Sequence, residues 1–296
     1  MSDLAATMTI LQPYQGIYAY YDGRIDGKRL HGPQRNWLDD GAYKLGIATY
    51  ALVAGPDAIV YDTHTSLDHA RAVRHHLASI GITTITVVLS HWHTDHIAGN
   101  EIFADCEIIA NRLTAKVLQD NLSKLENGDP PISPVVMPTR VFEGQMTLDL
   151  GGRRIDLLQF DIHSADGTVL FLPETGILLA GDTLEDTITY VSEPLFISRH
   201  ITELERLSTL PITAILPDHG DRERIASGGY GMGLITANQR YLKRLLERID
   251  DPGLENIPLA EFVADEIATG DILYFAAYED VHRDNMAAVR AALPRR

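Results

Sequence analysis

The stretch HWHTDHIAGN, residues 91–100, follows the apolar run ITTITVVLS and packs His91, His93, Asp95 and His96 into six positions. A soluble chain that sets three imidazoles and a carboxylate where a strand ends needs a cation to hold them together. Neutral imidazole and carboxylate are the nitrogen and oxygen donors that borderline ions such as zinc accept. In an H-x-H-x-D-H loop the first two histidines turn toward one ion, and the following Asp and His toward a neighbouring point. Four residues cannot complete two coordination shells, so the loop predicts further ligands elsewhere. Three lone donors each stand just past an apolar run: His163 after LLQFDI, Asp182 after GILLAG, and His219 after ITAILPD. The fold must therefore bring several strand ends to one place.

The strand and helix signals agree with that demand. IATYALVAG and AIVYDTH are β-branched and aromatic runs split by Gly55-Pro56, and they predict paired strands. SLDHARAVRHHLASIG carries Leu67, Ala70, Val73 and Leu77 at helical spacing, with Thr65 or Ser66 as N-cap and Gly81 as C-cap. ITTITVVLS and CEIIA predict strands, and NRLTAKVLQDNLSKLE a second helix. Beyond the Pro-rich NGDPPISPVVMP, strand patterns resume in RVFEG, MTLDLGG, RRIDLLQFDIH, TVLFLPETGILLAGD and ITAILPDHG. A helix, ITELERLSTL, separates the last two. YGMGLITANQRYLKRLLERID and YEDVHRDNMAAVRAAL predict closing helices. Strands in two groups flanked by helices predict an α/β fold with two sheets packed face to face and covered on both sides. The expected organisation is a single domain over 1–296, with 230–296 a mainly helical C-terminal extension.

Composition limits the partners. With 41 acidic against 25 basic residues the formal charge is −16, and no Lys/Arg stripe offsets it, which argues against nucleic acid. The N-terminus has no secretion signal pattern and no run is long enough to span a bilayer, so the expectation is a cytoplasmic protein without membrane association. A small-molecule substrate is expected, and a homo-oligomer is compatible with the sequence. Cys106, the single cysteine, predicts a small core residue in a buried strand. The remaining histidines, His31, His64, His69, His75, His76, His200 and His282, take structural roles in this reading, with His64 set apart by its place at a strand end beside Asp62.

The ordered set His91, His93, Asp95, His96, His163, Asp182 and His219 resembles the dinuclear metal site of the metallo-β-lactamase superfamily. SHWHTDHIAGN is similar to its signature loop and AIVYDT to the strand before it. The resemblance covers roughly residues 45–222. It implies a four-layer αβ/βα sandwich with C-terminal helices. It assigns His91, His93 and His163 to one metal, Asp95, His96 and His219 to the other, and Asp182 as the bridge. Asp62 would orient the loop. The cofactor implied is two divalent ions, Zn2+ first, with Mn2+ or Fe2+ compatible with the oxygen donors.

Asp182 stands where secreted β-lactamases of the commonest subclass carry Cys, so the resemblance is closer to the wider family's hydrolases. A bridging hydroxide formed by the two ions would attack a small neutral electrophile: an ester, lactone, thioester, amide or isothiocyanate. Asp95 would position it or shuttle its proton. The alternatives are an iron-dependent oxidoreductase of the same fold, persulfide dioxygenase-like, or a phosphodiesterase. Trp37 in the polar segment 22–45, Tyr190, and Tyr230 in the Gly-rich SGGYGMG are the candidate substrate-binding residues, the last on a loop expected to be mobile.

Overall fold

The computed structural model describes residues 4–293, so the outermost residues of the expected 1–296 domain, 1–3 and 294–296, lie outside the described part. Two sheets form the centre. The first has seven strands in sequence order: β1 (Thr9–Tyr14), β2 (Ile17–Asp22), β3 (Ile47–Ala54), β4 (Asp57–Tyr61), β5 (Thr84–Val88), β6 (Glu107–Asn111) and β7 (Arg140–Phe142). β1 to β4 pair antiparallel, and β4 to β7 pair parallel. The second runs β12-β11-β10-β9-β8, from β8 (Gln145–Leu150), β9 (Arg153–Gln159), β10 (Thr168–Leu172), β11 (Ile177–Gly181) and β12 (Ala214–Pro217). Only its β11–β12 pair is parallel.

Alternation along the strands of the first sheet assigns its two faces. Tyr50 and Leu52 of β3, Ile59 and Tyr61 of β4, Val88 of β5 and Ile109 of β6 join the core shared with the second sheet. Their neighbours Ala51, Ala58, Val60, Val87, Ile108 and Ala110 join a second core on the opposite face. Successive side chains in a strand point to opposite faces, so a sheet covered on both sides needs apolar residues at every position. Helix α1 (Leu67–Ser79) supplies Ala70, Val73 and Leu77 to that second core. Its N-cap is Ser66, whose Oγ accepts from the His69 amide, and left-handed Gly81 follows its end.

A short helix α2 (Thr94–Ile97) lies inside the His-rich loop, followed by α3 (Arg112–Asp120) and α4 (Leu122–Glu126). The expected single helix over 111–126 is thus broken at Asn121, whose side chain donates to the Val117 carbonyl. On the other side, α5 (Ile197–Leu207) and α7 (Gly233–Arg248) cover the second sheet, where β10 and β11 are buried at every position, while α6 (Arg222–Ala226) packs against β1 and β2. The chain closes with α8 (Leu259–Phe262), α9 (Ala264–Ala268) and α10 (Tyr278–Ala292). Leu259, Phe262, Tyr278, Met286 and Val289 of this C-terminal stretch belong to the same core as the sheets. The result is an αβ/βα sandwich with C-terminal helices.

Three local expectations are corrected. Cys106 is half-buried and precedes β6 rather than lying in it. TVLFLPETGILLAGD makes two strands, because Thr175 and Gly176 turn back to the Leu172 carbonyl. The Gly-rich segment 227–233 is built into the edge of the second sheet, where Tyr230 exchanges backbone hydrogen bonds with Ile215. Among the described residues no helix is long and apolar enough to cross a membrane.

Candidate metal centre

The carboxyl ends of β4 and β5 lie side by side, and Asp62 at the first clamps the loop leaving the second. Asp62 takes a left-handed backbone, with φ +66°, that Asp tolerates better than bulkier residues. Its Oδ1 accepts from the Ser90 amide at 2.7 Å, and its Oδ2 from Ser90 Oγ at 2.5 Å and from His96 Nδ1 at 2.8 Å. Thr63 holds the far side of the loop through its amide and Oγ1, both donated to the His96 carbonyl. Gly99 permits this approach. A Cβ there would lie 2.0 Å from the Thr63 carbonyl oxygen and 2.5 Å from Ala70 Cβ.

The second sheet delivers the remaining donors from three strand ends. His163 follows β9, Asp182 follows β11, and His219 follows β12. His163 donates Nδ1 to the Tyr190 carbonyl at 2.8 Å, and His219 donates Nδ1 to the Gly46 carbonyl at 2.7 Å. Ser90 spends its hydroxyl proton on Asp62, so it accepts from His91 Nδ1 at 2.9 Å. In His91, His96, His163 and His219 alike, the outer ring nitrogen thus has a fixed acceptor. Each inner Nε2 is left with a lone pair aimed at the centre.

Those lone pairs fall into two groups sharing one carboxylate. The first comprises His91, His93, His163 and Asp182, and the second Asp95, His96, His219 and Asp182. In the first, His93 Nδ1 lies 2.9 Å from His91 Nε2 and 3.0 Å from His163 Nε2. Asp182 Oδ2 is 3.6 Å from His91 Nε2 and 3.7 Å from His163 Nε2. In the second, Asp95 Oδ2 lies 3.6 Å from His96 Nε2 and 3.3 Å from His219 Nε2, while Asp182 reaches those nitrogens at 3.2 and 3.5 Å. A tetrahedral ion with metal–nitrogen bonds of about 2.05 Å separates its donors by about 3.3 Å, the middle of both ranges. Three imidazole lone pairs converging at such distances repel one another unless a cation lies among them. Asp182 Oδ1, buried and lacking a hydrogen-bond partner among the described residues, faces the second group. The residues are therefore positioned for metal binding.

The electrostatics point the same way. Burial pushes the His91 pKa well below the imidazole range and that of His93 down to about 3, keeping both neutral. Burial also opposes charge on His96 and His219, but Asp182 with Asp95 and other carboxylates overcomes it and raises both well above the usual value. Against the same burial penalty, His96 and His219 hold Asp95 down to about 2. A half of the centre rich in carboxylate thus demands positive charge, which a divalent ion supplies without protonating its ligands.

The remaining sequence candidates separate. Tyr190 stands at the rim, 38% exposed, with its ring 6.1 Å from that of His163. Trp37 is half-buried against the core outside the first sheet and donates Nε1 to the Pro130 carbonyl, pinning the 127–134 segment. Tyr230 is corrected outright: it is buried, its hydroxyl donates to Asp186 Oδ2 at 2.6 Å and accepts from the Asp221 amide, so it has no edge for a substrate. His64 is buried and stacked on His69, which pairs with Asp22 at 2.9 Å, a structural network beneath the loop.

Two residues escaped the sequence reading. Asp218 lies buried with an oxygen 3.2 Å from His96 Nδ1, and burial, reinforced by the Asp62 charge, raises its pKa well above the carboxylate range. Its place directly before His219 was the available signal. Glu185, also buried, accepts from the Tyr190 amide and the Tyr278 hydroxyl, and burial lifts it to about 8. Nothing in its local sequence marks that role.

The comparisons with known proteins address fold and ancestry. Metallo-beta-lactamase from Pontibacter korlensis superposes with a TM-score of 0.61 at 17% identity, covering 80% of this chain and 99% of that one. The DIM-1 metallo-beta-lactamase gives 0.59 at 17% identity over 80% of this chain and 97% of its own. In sequence, the chain is 27% identical over 179 residues to the Beta-lactamase-like protein 2 homolog of Caenorhabditis elegans, covering 59% of this chain and 56% of that protein. Its Drosophila melanogaster counterpart is 26% identical over 187 residues, covering 60% and 59%. The chain thus spans a little over half the length of these relatives. The profile of the metallo-beta-lactamase superfamily matches residues 43–219, the stretch from the end of the 22–45 segment to the last central histidine. Every donor in the two groups falls inside that match, and on it the chain belongs to the metallo-beta-lactamase superfamily.

Proposed function

We propose that the protein is a metal-dependent hydrolase that holds two divalent ions, zinc first, and cleaves a small neutral carbonyl compound. One observation carries the reading: Asp182 is shared by two complete donor groups, and four of their five histidines, His91, His96, His163 and His219, are already locked in the ligating tautomer. When bound, such a pair of ions lowers the pKa of a shared water toward about 7 and polarises a carbonyl.

The chain's own residues supply position and proton handling. Asp62, Ser90, Gly46 and Tyr190 orient the inner nitrogens and spare the site any rearrangement during turnover. Asp95 has the most accessible side chain of the central carboxylates, 16% exposed. With Oδ2 turned toward His96 and His219, its Oδ1 is left to accept a proton from the attacking water and pass it to the leaving group. Tyr190 lies on the segment that also exposes Leu195 and Phe196, an apolar rim suited to a neutral acyl group.

The test is to assay the zinc-loaded protein on lactones, thioesters, β-lactams, isothiocyanates and phosphodiesters, with a metal-stripped control. Turnover of one or more carbonyl classes that disappears with the metal is the expected result. Turnover of phosphodiesters alone would overturn the substrate class. A single iron with oxygen-dependent chemistry would overturn the hydrolase reading.

A further inference from the structure

Asp161, Glu193 and His200 converge outside the central donor groups. Asp161 stands on the segment between β9 and His163, Glu193 just before α5, and His200 on the first turns of that helix. Their ligating atoms all lie within 4.8 Å of one another. His200 Nε2 is 3.5 Å from Asp161 Oδ1, too far for a hydrogen bond of ordinary strength.

Each of the three presents a buried atom with no hydrogen-bond partner among the described residues: Asp161 Oδ1, Glu193 Oε2 and His200 Nε2. His200 itself is 1% exposed, so solvent does not satisfy its ring. Leaving a buried polar group unpaired forfeits its hydration without return, and three facing one another call for a common partner. Other contacts hold the triad in place. Arg199 Nη1 donates to Asp161 Oδ2 at 2.8 Å, and the Ala165 amide donates to Glu193.

We propose that this triad is a further divalent-cation site, separate from the central pair, which takes zinc or manganese. One imidazole and two carboxylates suit an ion that accepts mixed nitrogen and oxygen donors, and calcium is disfavoured by the imidazole. The Arg199 guanidinium offsets one of the two carboxylate charges, so this site binds more weakly than the central one. His200, a structural histidine by its sequence alone, becomes a ligand.

The location gives the ion a task. Tyr190 accepts from His163 Nδ1, and Ser192 donates its hydroxyl to the His163 carbonyl. Glu193 follows directly, and Asp161 precedes His163 by two residues. An ion joining Asp161, Glu193 and His200 staples the wall behind His163 to α5, and so couples this site to central occupancy. By linkage the coupling is reciprocal.

The test is equilibrium dialysis of the metal-stripped full chain against graded Mn2+ and, separately, Zn2+, for the wild type, Glu193→Gln and His200→Phe. The wild type should bind one equivalent more than either variant, in a weaker class that each variant weakens at least ~10-fold, with the central equivalents retained. The midpoint of thermal unfolding should keep rising with Mn2+ after the central class is filled, in the wild type only. Equal equivalents in wild type and Glu193→Gln at every concentration would overturn the site. Glu193→Gln keeps the side chain's shape and decides the matter if His200→Phe does not fold. Neither variant touches a central donor, so loss of the central class in the wild type, with the weaker class intact, would count against the proposed function and not against this site.

Discussion

At the scale of single residues, Asp62 governs the most, because one carboxylate fixes the Ser90 amide, the Ser90 hydroxyl and the His96 ring. Through Ser90 it also sets the tautomer of His91. Asp62→Ala should therefore lower metal affinity by about 10–100-fold without removing any ligand. Competition with a chromogenic chelator measures this, and an unchanged affinity would show that the loop holds its geometry unaided. A second residue sets acid sensitivity far from the centre. His282 on α10 is buried against Tyr241, and burial pushes its pKa down to about 4. The unfolded chain, with an imidazole near 6.5, then binds more protons than the folded one between those values. Stability is therefore full above about pH 6.5 and is lost as the pH falls toward 4, a loss of about 2 kcal/mol by about pH 5 and about 3 kcal/mol by about pH 4 before solvent screening is discounted. Urea unfolding of the metal-free wild type and His282→Gln at about pH 7 and pH 5 tests it. The variant should lose less stability on acidification, and an equal loss would clear His282.

At the scale of elements, the His-rich loop and α1 form one packed unit, with Gly99 as the point of closest approach. Gly99→Ala should cost about 1–3 kcal/mol, since the Thr63 backbone must retreat. Gly32→Ala, where an added Cβ meets nothing within 4 Å, should be close to neutral. Denaturant midpoints compare the two, and equal effects would mean that the loop yields freely. Much at this scale was legible in the sequence. The β-branched and aromatic runs at 47–55 and 58–64, the helical spacing within 66–81 and the donors past apolar runs all gave the kinds of element they signal, because each pattern follows directly from burial on one or both faces. What escaped depends on distant partners. No local pattern shows that Tyr230 spends its hydroxyl on Asp186 and Asp221, that Trp37 hands its indole proton to Pro130, or that Glu185 anchors Tyr190. Donor spacing could be seen along the chain, whereas the use made of a lone aromatic is settled only by tertiary contact.

For the whole molecule, the charge of −16 surrounds a centre that demands cations. The long-range field repels anionic substrates while leaving neutral ones indifferent. Between about 0.02 and 0.2 M salt, kcat/KM for an anionic ester should rise as screening sets in, and for its neutral analogue stay level. A flat profile for both would remove net charge from the account of specificity. The central claim is that Asp182 joins two donor groups into one dinuclear centre, and metal analysis tests it most directly. After loading with zinc and passage through metal-free buffer, which strips weaker sites, the wild type should retain two equivalents. Asp182→Ala should lose both, and His219→Ala chiefly one. A wild type that holds a single equivalent after reloading, or an Asp182→Ala protein that keeps one at full affinity, would contradict the shared centre.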